Sequence, residues 1–595
     1  MNKLLSEVLF SRWLARVGIL TFALIATFFA LTAPFIQKDF IDTLLGQSHT
    51  AYFTFLTPVQ MIFIAFFFIL VAQAFQQLSF YLGAREAILM QGVLSKKIYR
   101  KTLDLKVDTL SHRPLGEIVQ LYATDVPGAT VLLDQTIPAG ASTLFPLLLG
   151  PFAIAFFFEV PILPTLLTMA LIISINTFLA FRQSKFFYNF KQLAGERLGV
   201  VNEWIQNIRT IRILGWVEQF EKTIFEKREV ETVNRVRMVT NGQMMNAISS
   251  SVTFVLNVVA LTSLIYFGKG QVTSGELLAL LWIVGVFLTR PFRQMPWFFT
   301  FAFDAWTSLK RLDGYLSIEN SKATEPPQLK AHQINKNPAR HDIDLSVRNL
   351  YLQIQGKTIL EDFNLDIQKG EFVAIVGEVG SGKSMLLLSL LGETGAYFRE
   401  YWLQGTNVLA QNPAQWKKYF SYVPQEGFIM SASLRENVVF DYGADESVDQ
   451  NVLRSLQLSQ FDLATERVEN GLETDIGERG VNLSGGQKQR VSLARVHHHN
   501  SPILLLDDCL SAVDVDTEVK LFNDLLHGDW QGRTRILVTH RLSILPKVDR
   551  IIFLENGHIE AQGTFDELLA HSEKFREFSI SVQQNENAAA PGELL

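Results

Sequence analysis

Residues 377–384 read Gly377-Glu378-Val379-Gly380-Ser381-Gly382-Lys383-Ser384, a G-x-x-x-x-G-K-S segment. Glycines at these places let the backbone curl until successive N–H groups face phosphate oxygens, and a helix starting there adds its positive dipole end. Lys383 is then placed to reach β- and γ-phosphates, and the Ser384 hydroxyl to hold Mg²⁺. The motif has meaning only between a strand and a helix. Here an apolar run (372–376) precedes it and a helical pattern (385–391) follows it, so ATP and Mg²⁺ are the expected ligands.

Two more clusters lie downstream. The apolar run Ile503-Leu504-Leu505-Leu506 ends in Asp507-Asp508. A buried strand ending in carboxylates suits a second Mg²⁺ contact at Asp507 and a water-orienting or basic group at Asp508. Leu483-Ser484-Gly485-Gly486-Gln487 precedes a strong helix. Ser484 can cap it, and the two glycines leave N–H groups without partners. As structure this is a helix cap. As function it is a second anion site, far along the chain from the first. One phosphate cannot be served twice by distant parts of a small domain, so the turn is expected to complete a nucleotide held by another copy of the domain.

The elements that must position these residues follow from the pattern. Short β-type runs at 372–376, 503–506, 535–538 and 551–554 alternate with helices, which predicts an α/β domain over 343–580 with a largely parallel sheet. Residues 319–342, with Pro326, Pro327 and Pro338, read as a linker. Residues 581–595 read as a disordered tail.

The part before the linker, 1–318, has another character. The chain has 595 residues, 48% hydrophobic and 19% charged, with 46 phenylalanines. Apolar runs of about 20 residues, enough to cross ~30 Å of hydrocarbon, fall near 17–36, 59–82, 137–158, 162–181, 247–267 and 277–299. This predicts an all-α six-helix transmembrane domain in contact with membrane lipid. Lys96, Lys97, Arg100, Lys101 and Lys106 follow the second run, and Arg182, Lys185, Lys191 and Arg197 the fourth. The positive-inside rule then puts both termini in the cytoplasm of a multi-pass protein, expected in the cell (inner) membrane. The charged segments 82–136 and 181–246 read as helices continuing out of the membrane. A net charge of −6 gives no overall basic field, so no nucleic acid partner is expected. The single Cys509 excludes an internal disulfide and any multi-cysteine metal site.

With these motifs in order, the chain resembles an ABC exporter half-transporter of type I, one membrane domain followed by one nucleotide-binding domain, over essentially residues 1–580. The P-loop, Gln425 after Tyr422-Val423-Pro424, Leu483–Gln487, Asp507-Asp508, Ser511-Ala512-Val513-Asp514 and His540 stand in family order. Thr474-Asp475-Ile476-Gly477-Glu478-Arg479-Gly480 resembles the exporter segment. Arg209-Thr210-Ile211-Arg212, Gly215-Trp216 and Ser389-Leu390-Leu391-Gly392-Glu393 look most like the multidrug-resistance-associated C subfamily. The resemblance implies that Gln425 contacts Mg²⁺ or water, His540 holds the γ-phosphate, and Asp514 bridges two ATPase domains. It also implies that turns near 107–112 and 214–220 are coupling helices. ATP would bind the closed dimer better than the open one, and that difference would drive the inward-to-outward switch.

Two departures matter. The family usually has Glu where this chain has Asp508, one methylene shorter, which implies slow turnover on this P-loop. In the family this typifies one half of an asymmetric pair, so a second ABC half-transporter chain is expected, a heterodimer ahead of a homodimer. The adenine-stacking aromatic of the family aligns with Ile354, with Tyr351 three residues earlier. Of the remaining candidates, His497-His498-His499 reads as a polar helix end ahead of a metal tract, and Cys509 as a buried small hydrophobe. Arg290 and Arg293 in the last span either contact an anionic substrate or snorkel to headgroups. The expected function is ATP-driven export of a small or amphipathic substrate; the alternative is an ATP-gated regulatory protein or channel. A soluble ABC ATPase conflicts with the spans.

Overall fold

The computed structural model describes residues 2–46, 53, 55–110, 115–158, 161–267, 272–320, 342–411, 413–464, 468, 470–477 and 482–589. The chain divides into two compact units, residues 1–104 with 113–318, and residues 105–112 with 319–595.

In the first unit a short helix α1 (Asn2–Phe10) leads into six long apolar helices: α2 (Trp13–Leu44), α3 (Pro58–Asp104), α4 (Gly116–Phe157), α5 (Ile162–Gln206), α6 (Val217–Phe267) and α7 (Ser274–Leu316). Each contains one of the expected runs. At 1.5 Å per residue the 51-residue α6 is about 77 Å long, far beyond ~30 Å of hydrocarbon, so the charged segments continue as helix outside it. Three wide i→i+5 turns interrupt the ladders, at Leu121–Asp125, Leu132–Thr136 and Val284–Thr289. Each lies just before a proline, Pro127, Pro138 or Pro291. A proline has no N–H to donate and crowds the carbonyl four residues back, and widening the preceding turn relieves both. α4 begins at Gly116, well before the apolar run at 137. Buried charges are paired: Arg16 Nη1 donates to Glu86 Oε2 at 2.7 Å, and Lys38 lies 3.6 Å from both Asp39 and Asp42.

The second unit is α/β. Its central six-stranded sheet has the order β12-β11-β3-β10-β9-β6, from β3 (Phe372–Val376), β6 (Phe420–Val423), β9 (Ile503–Asp507), β10 (Thr534–Val538), β11 (Arg550–Glu555) and β12 (His558–Gly563). All neighbours are parallel except β12 with β11. Apolar residues alternate along β3: Val373 and Ile375 join one core cluster, and Phe372, Ala374 and Val376 the other. A strand buried on both faces reads as a continuous apolar run, which is why the sequence pattern locates it. The antiparallel sheet β2-β1-β4-β5 was not expected; β1 (Ile343–Ile354), β2 (Lys357–Gln368), β4 (Glu400–Leu403) and β5 (Thr406–Asn407) mix polar and apolar residues.

The helices that concern the site are α8 (Lys383–Leu390), α9 (Leu434–Val439), α10 (Asp449–Leu458), α11 (Gly485–His499), α12 (Val515–Leu521), α13 (Phe565–His571) and α14 (Glu573–Ala589). A third apolar cluster, with Leu434, Val452, Leu456, Leu483 and Val491, holds α9, α10 and α11 together. Of the linker expected over 319–342, residues 321–341 lie outside the described residues, as do 590–595 of the tail. Helix α14 runs on to Ala589, into the segment expected to be disordered.

Candidate functional site

Four loops meet at one edge of the parallel sheet. The glycine loop follows β3, Asp507-Asp508 closes β9, His540 lies beyond β10, and Gln425 lies beyond β6. The register fixes the neighbours: Val538 pairs with Ile375 on one side and with Asp507 on the other, and Val423 pairs with Leu506. Loops at the carboxyl ends of parallel strands form the ligand crevice of such sheets.

The loop is built for close approach. Gly377 has φ +153°, and a Cβ there would lie 2.1 Å from the Leu554 carbonyl oxygen. Gly382 has φ +102° and starts α8 without a side-chain cap, so the first-turn amides of α8 have no partner within the helix. Lys383 is buried. Its Nζ donates to the carbonyls of Gly377 at 2.9 Å and Glu378 at 2.7 Å. Burial holds the Lys383 ammonium below its ordinary pKa, opposed by Asp507, Asp508 and Glu378.

Ser384 Oγ donates to Asp507 Oδ1 at 3.0 Å, and Tyr422 Oη to Asp507 Oδ2 at 3.3 Å. A hydroxyl and a carboxylate side by side at the phosphate end of the loop fit a hard oxygen-loving dication. Asp507 is 3% exposed, and burial raises its pKa. Asp508 holds a left-handed backbone, φ +45°, its N–H donating to the Val538 carbonyl at 2.9 Å. Burial, then the Asp507 charge, push its carboxyl up to about 6 against Arg541 and Lys383. The His540 imidazole sits below its usual value, through burial and then the Lys383 charge. Gln425 is exposed, and its carbonyl accepts from Gln489 Nε2 at 3.0 Å.

Ser484 and Gly485 are exposed at the start of α11. Ser484 Oγ accepts from the Gln487 N–H at 3.3 Å, and Gln487 Oε1 from the Ser484 N–H at 2.8 Å. Both side chains are thus engaged in the cap, while the Ser484 hydroxyl keeps its own proton to donate. Asp514 caps α12 through the Thr517 N–H at 2.9 Å. Of the exporter segment, 478–480 lie outside the described residues.

Other candidates settle into structure. His497 lies between Ser455 Oγ at 2.7 Å and Asp529 Oδ2 at 3.1 Å. Cys509 is buried, which pushes its thiol up. Tyr351 is 5% exposed, its hydroxyl 3.3 Å from Thr358 Oγ1, so it offers no free face to a base. In the first unit Arg290 lines a cavity of about 290 Å³ with Gln73, Gln76, Gln135, Gln294 and Trp297, while Arg293 is exposed and does not line it.

Residues 105–110 belong with the second unit although α3 ends at Asp104. Val107 N–H donates to the Glu393 carbonyl at 3.0 Å, Lys106 Nζ to the Thr394 carbonyl at 2.8 Å, and Gly395 N–H to Asp108 Oδ2 at 3.0 Å. The turn at 214–220 centres on Gly215, φ +71°, and leaves Ile213 and Trp216 exposed. Sequence reasoning missed Gln489 and Arg541, which hold the loops of the site; a polar side chain on the buried face of the α11 helix was the available signal.

The family described as ABC transporter matches residues 360–511, and that described as ABC transporter transmembrane region matches residues 17–292. The chain is 29% identical over 520 residues to "ATP-binding cassette sub-family C member 2" of Homo sapiens, covering 84% of this chain and 31% of that protein. It is 30% identical over 509 residues to "Probable multidrug resistance-associated protein lethal(2)03659" of Drosophila melanogaster, covering 81% and 34%. It is 28% identical over 591 residues to "ABC transporter C family member 13" of Oryza sativa subsp. japonica, covering 96% and 37%. The chain thus spans about a third of the length of the curated relatives it matches. A solved structure, of a bacterial Atm1-family ABC exporter with ATP bound, shares the fold: TM-score 0.80 at 19% identity, covering 98% of this chain and 99% of the other.

Proposed function

Because this chain belongs to the ABC transporter family, its transmembrane region and its ATP-binding domain fused in one polypeptide, we propose that it is one half of a dimeric ATP-driven exporter of a small or amphipathic substrate. The partner is a second ABC half-transporter, a different chain in preference to a second copy. The protein lies in the cell (inner) membrane with both termini in the cytoplasm.

The observation that carries this reading is the division of the nucleotide chemistry into two places. Lys383, Ser384, Asp507 and His540 gather at the edge of the central sheet. The Ser484-Gly485-Gly486 turn, exposed at Ser484 and Gly485, starts α11, which packs with α9 and α10 in the separate cluster. A nucleotide on the glycine loop needs a turn of this kind from another chain, and this chain's turn is free to serve one.

The residues fit ATP and Mg²⁺. The loop amides and Lys383 would hold the phosphates, Ser384 and Asp507 would hold the ion with Gln425 nearby, and His540 would hold the γ-phosphate. When bound, Mg²⁺ neutralises charge developing on the phosphates. Asp508 takes the place of a base and orients water from one methylene too far back, so ATP here is held longer than it is cleaved. The partner's site, completed by Ser484–Gln487, supplies most of the hydrolysis. Closure of the two ATP-binding domains, favoured by ATP, drives the membrane helices toward the outward-open state. Slow hydrolysis is also what favours the second reading, an ATP-gated channel, which cargo-independent ion current from the purified protein would support.

The test is purification of the native complex in detergent with mass spectrometry. A second ABC chain at equal amount supports the proposal. One polypeptide alone, with full ATPase activity abolished by Asp508→Asn, refutes the asymmetric pair.

A further inference from the structure

Past the apolar run 162–181 of α5 the chain reads Arg182-Gln183-Ser184-Lys185, and no acidic residue follows before Glu196. On α6, residues 232–246 precede the run 247–267; they hold Arg235 and Arg237 and likewise no acid. Two hydrogen bonds fix the heights of these antiparallel helices against each other. Asn234 Nδ2 donates to the Phe186 carbonyl at 3.0 Å, and Asn241 Nδ2 to the Leu179 carbonyl at 3.1 Å. Arg237 therefore stands level with residue 183, between Arg182 and Lys185. At 1.5 Å per residue the three cations fall within about 5 Å of one another along the axis, about 2–6 Å past the apolar run. A headgroup layer of about 5–7 Å borders the ~30 Å hydrocarbon core, so all three stand in it.

The three also share a side. Arg182 is half a turn round α5 from Lys191, which pairs with Asp304 of α7, so Arg182 faces away from α7 and Lys185 lies beside it. Asn234 and Asn241 mark the face of α6 turned to α5. Arg235 and Arg237 fall on opposite flanks of that face: Arg237 on the flank of Arg182, Arg235 across the pair, over the Phe190 ring at 5.6 Å. Arg182, Lys185 and Arg237 are all exposed. The Arg182 guanidinium is steadied over the Phe186 ring at 5.6 Å. One turn before Arg182 and Lys185 stand Phe178 and Phe181, 68% and 67% exposed, which present apolar surface on the same face of α5. The nearby carboxylates are taken: Asp304 by Lys191, Glu196 by Lys227 at 3.4 Å, Glu231 by Arg197 at 2.6 Å and Arg228 at 3.0 Å. Among the described residues none of the three cations has an acidic partner, whereas Arg16, elsewhere in this unit, is paired with Glu86.

We infer that Arg182, Lys185 and Arg237 form a site for an anionic phospholipid, its phosphate held by the three cations and its acyl chains lying along Phe181 and Phe178. Each guanidinium can offer a fork to two phosphate oxygens, and the ammonium adds a point charge. One cation near the membrane surface favours an anionic headgroup by about 5-fold. Three together favour it by about 100-fold over a zwitterionic one.

The test titrates the purified protein in detergent with dioleoylphosphatidylglycerol or with dioleoylphosphatidylcholine and counts the bound lipid by native mass spectrometry. Wild type should hold one phosphatidylglycerol at about 100-fold lower lipid concentration than phosphatidylcholine. The triple variant Arg182→Gln, Lys185→Gln, Arg237→Gln should lose that preference at an unchanged Tm. Arg235→Gln, which removes an equal charge at the same height but across the pair, should keep it. Should the triple variant fail to fold, Arg182→Gln alone is read in its place, with an expected loss of about 5-fold. Inorganic phosphate at the lipid's own concentration should not displace phosphatidylglycerol, because it brings no acyl chain to Phe178 and Phe181. Equal retention of the two lipids by wild type overturns the inference, and so does a preference that survives the substitutions. A preference lowered as much by Arg235→Gln as by Arg182→Gln marks a diffuse basic field and overturns it too. Displacement by inorganic phosphate marks a soluble-anion site, with the same consequence.

Discussion

Lengthening Asp508 by one methylene should restore turnover to this chain's own site. Asp508 follows Asp507, whose carboxylate is fixed by Ser384 at 3.0 Å and Tyr422 at 3.3 Å, and its own backbone is fixed by the Val538 carbonyl at 2.9 Å. Nothing in that arrangement lets the shorter side chain slide forward. A C–C bond adds about 1.5 Å of reach, and misplacement by about 1 Å costs on the order of 100-fold in rate, or about 2.7 kcal/mol of barrier. Asp508→Glu should therefore raise hydrolysis at this glycine loop by about 10- to 100-fold. The variant should also be slightly less stable, because φ is +45° and the short side chain of Asp tolerates that conformation better than Glu does. The assay loads the purified complex with labelled ATP, cross-links nucleotide to this chain, and follows conversion to ADP in a single turnover. ATP should persist on the wild-type chain and be cleaved on the variant. Equal rates in the two proteins would refute the distance argument.

Other outcomes follow from the same geometry. Lys383→Ala removes charge-assisted bonds worth about 1.5–3 kcal/mol and should weaken ATP binding to this chain by about 10- to 100-fold in a nucleotide titration. Gly377→Ala sets a methyl 2.1 Å from the Leu554 carbonyl and should lower the Tm of the ATP-binding domain more than Gly380→Ala, whose Cβ meets nothing within 4 Å. Burial and Asp507 favour the protonated Asp508 carboxyl, which is neutral below about 6 and ionised above it. Slow cleavage on this loop should therefore lose half its rate near pH 6 on acidification, and Asp508→Asn should remove that limb. Asp108→Ala breaks the bond to the Gly395 N–H; ATP binding should survive while ATP-driven spin-label distance changes among the membrane helices shrink.

The glycine loop and the strand that ends in Asp507 were legible because each is a short contiguous segment. Glycines at 377, 380 and 382 mark a loop with positive φ, and Ile503–Leu506 is apolar throughout because β9 is buried on both faces. The six spans were legible for the same reason. What did not show was whatever depends on one polar side chain meeting distant backbone. Gln489 reads as one more polar residue of a helix, and its three partners lie 64, 22 and 23 residues away. The antiparallel β1 and β2 strands mix polar and apolar residues because polar side chains such as Ser346, Arg348 and Asp366 bond one another along them. The turn at 107–112 was expected from the resemblance, whereas its partners at 393–395, almost 290 residues away, leave no local signature.

The most direct test of the account is a structure of the native complex, closed and loaded with ATP. The Ser484 hydroxyl should lie about 3 Å, hydrogen-bond distance, from the γ-phosphate of the ATP held by the other chain's glycine loop. Ser484 remote from every triphosphate in that closed state would contradict the shared-nucleotide mechanism.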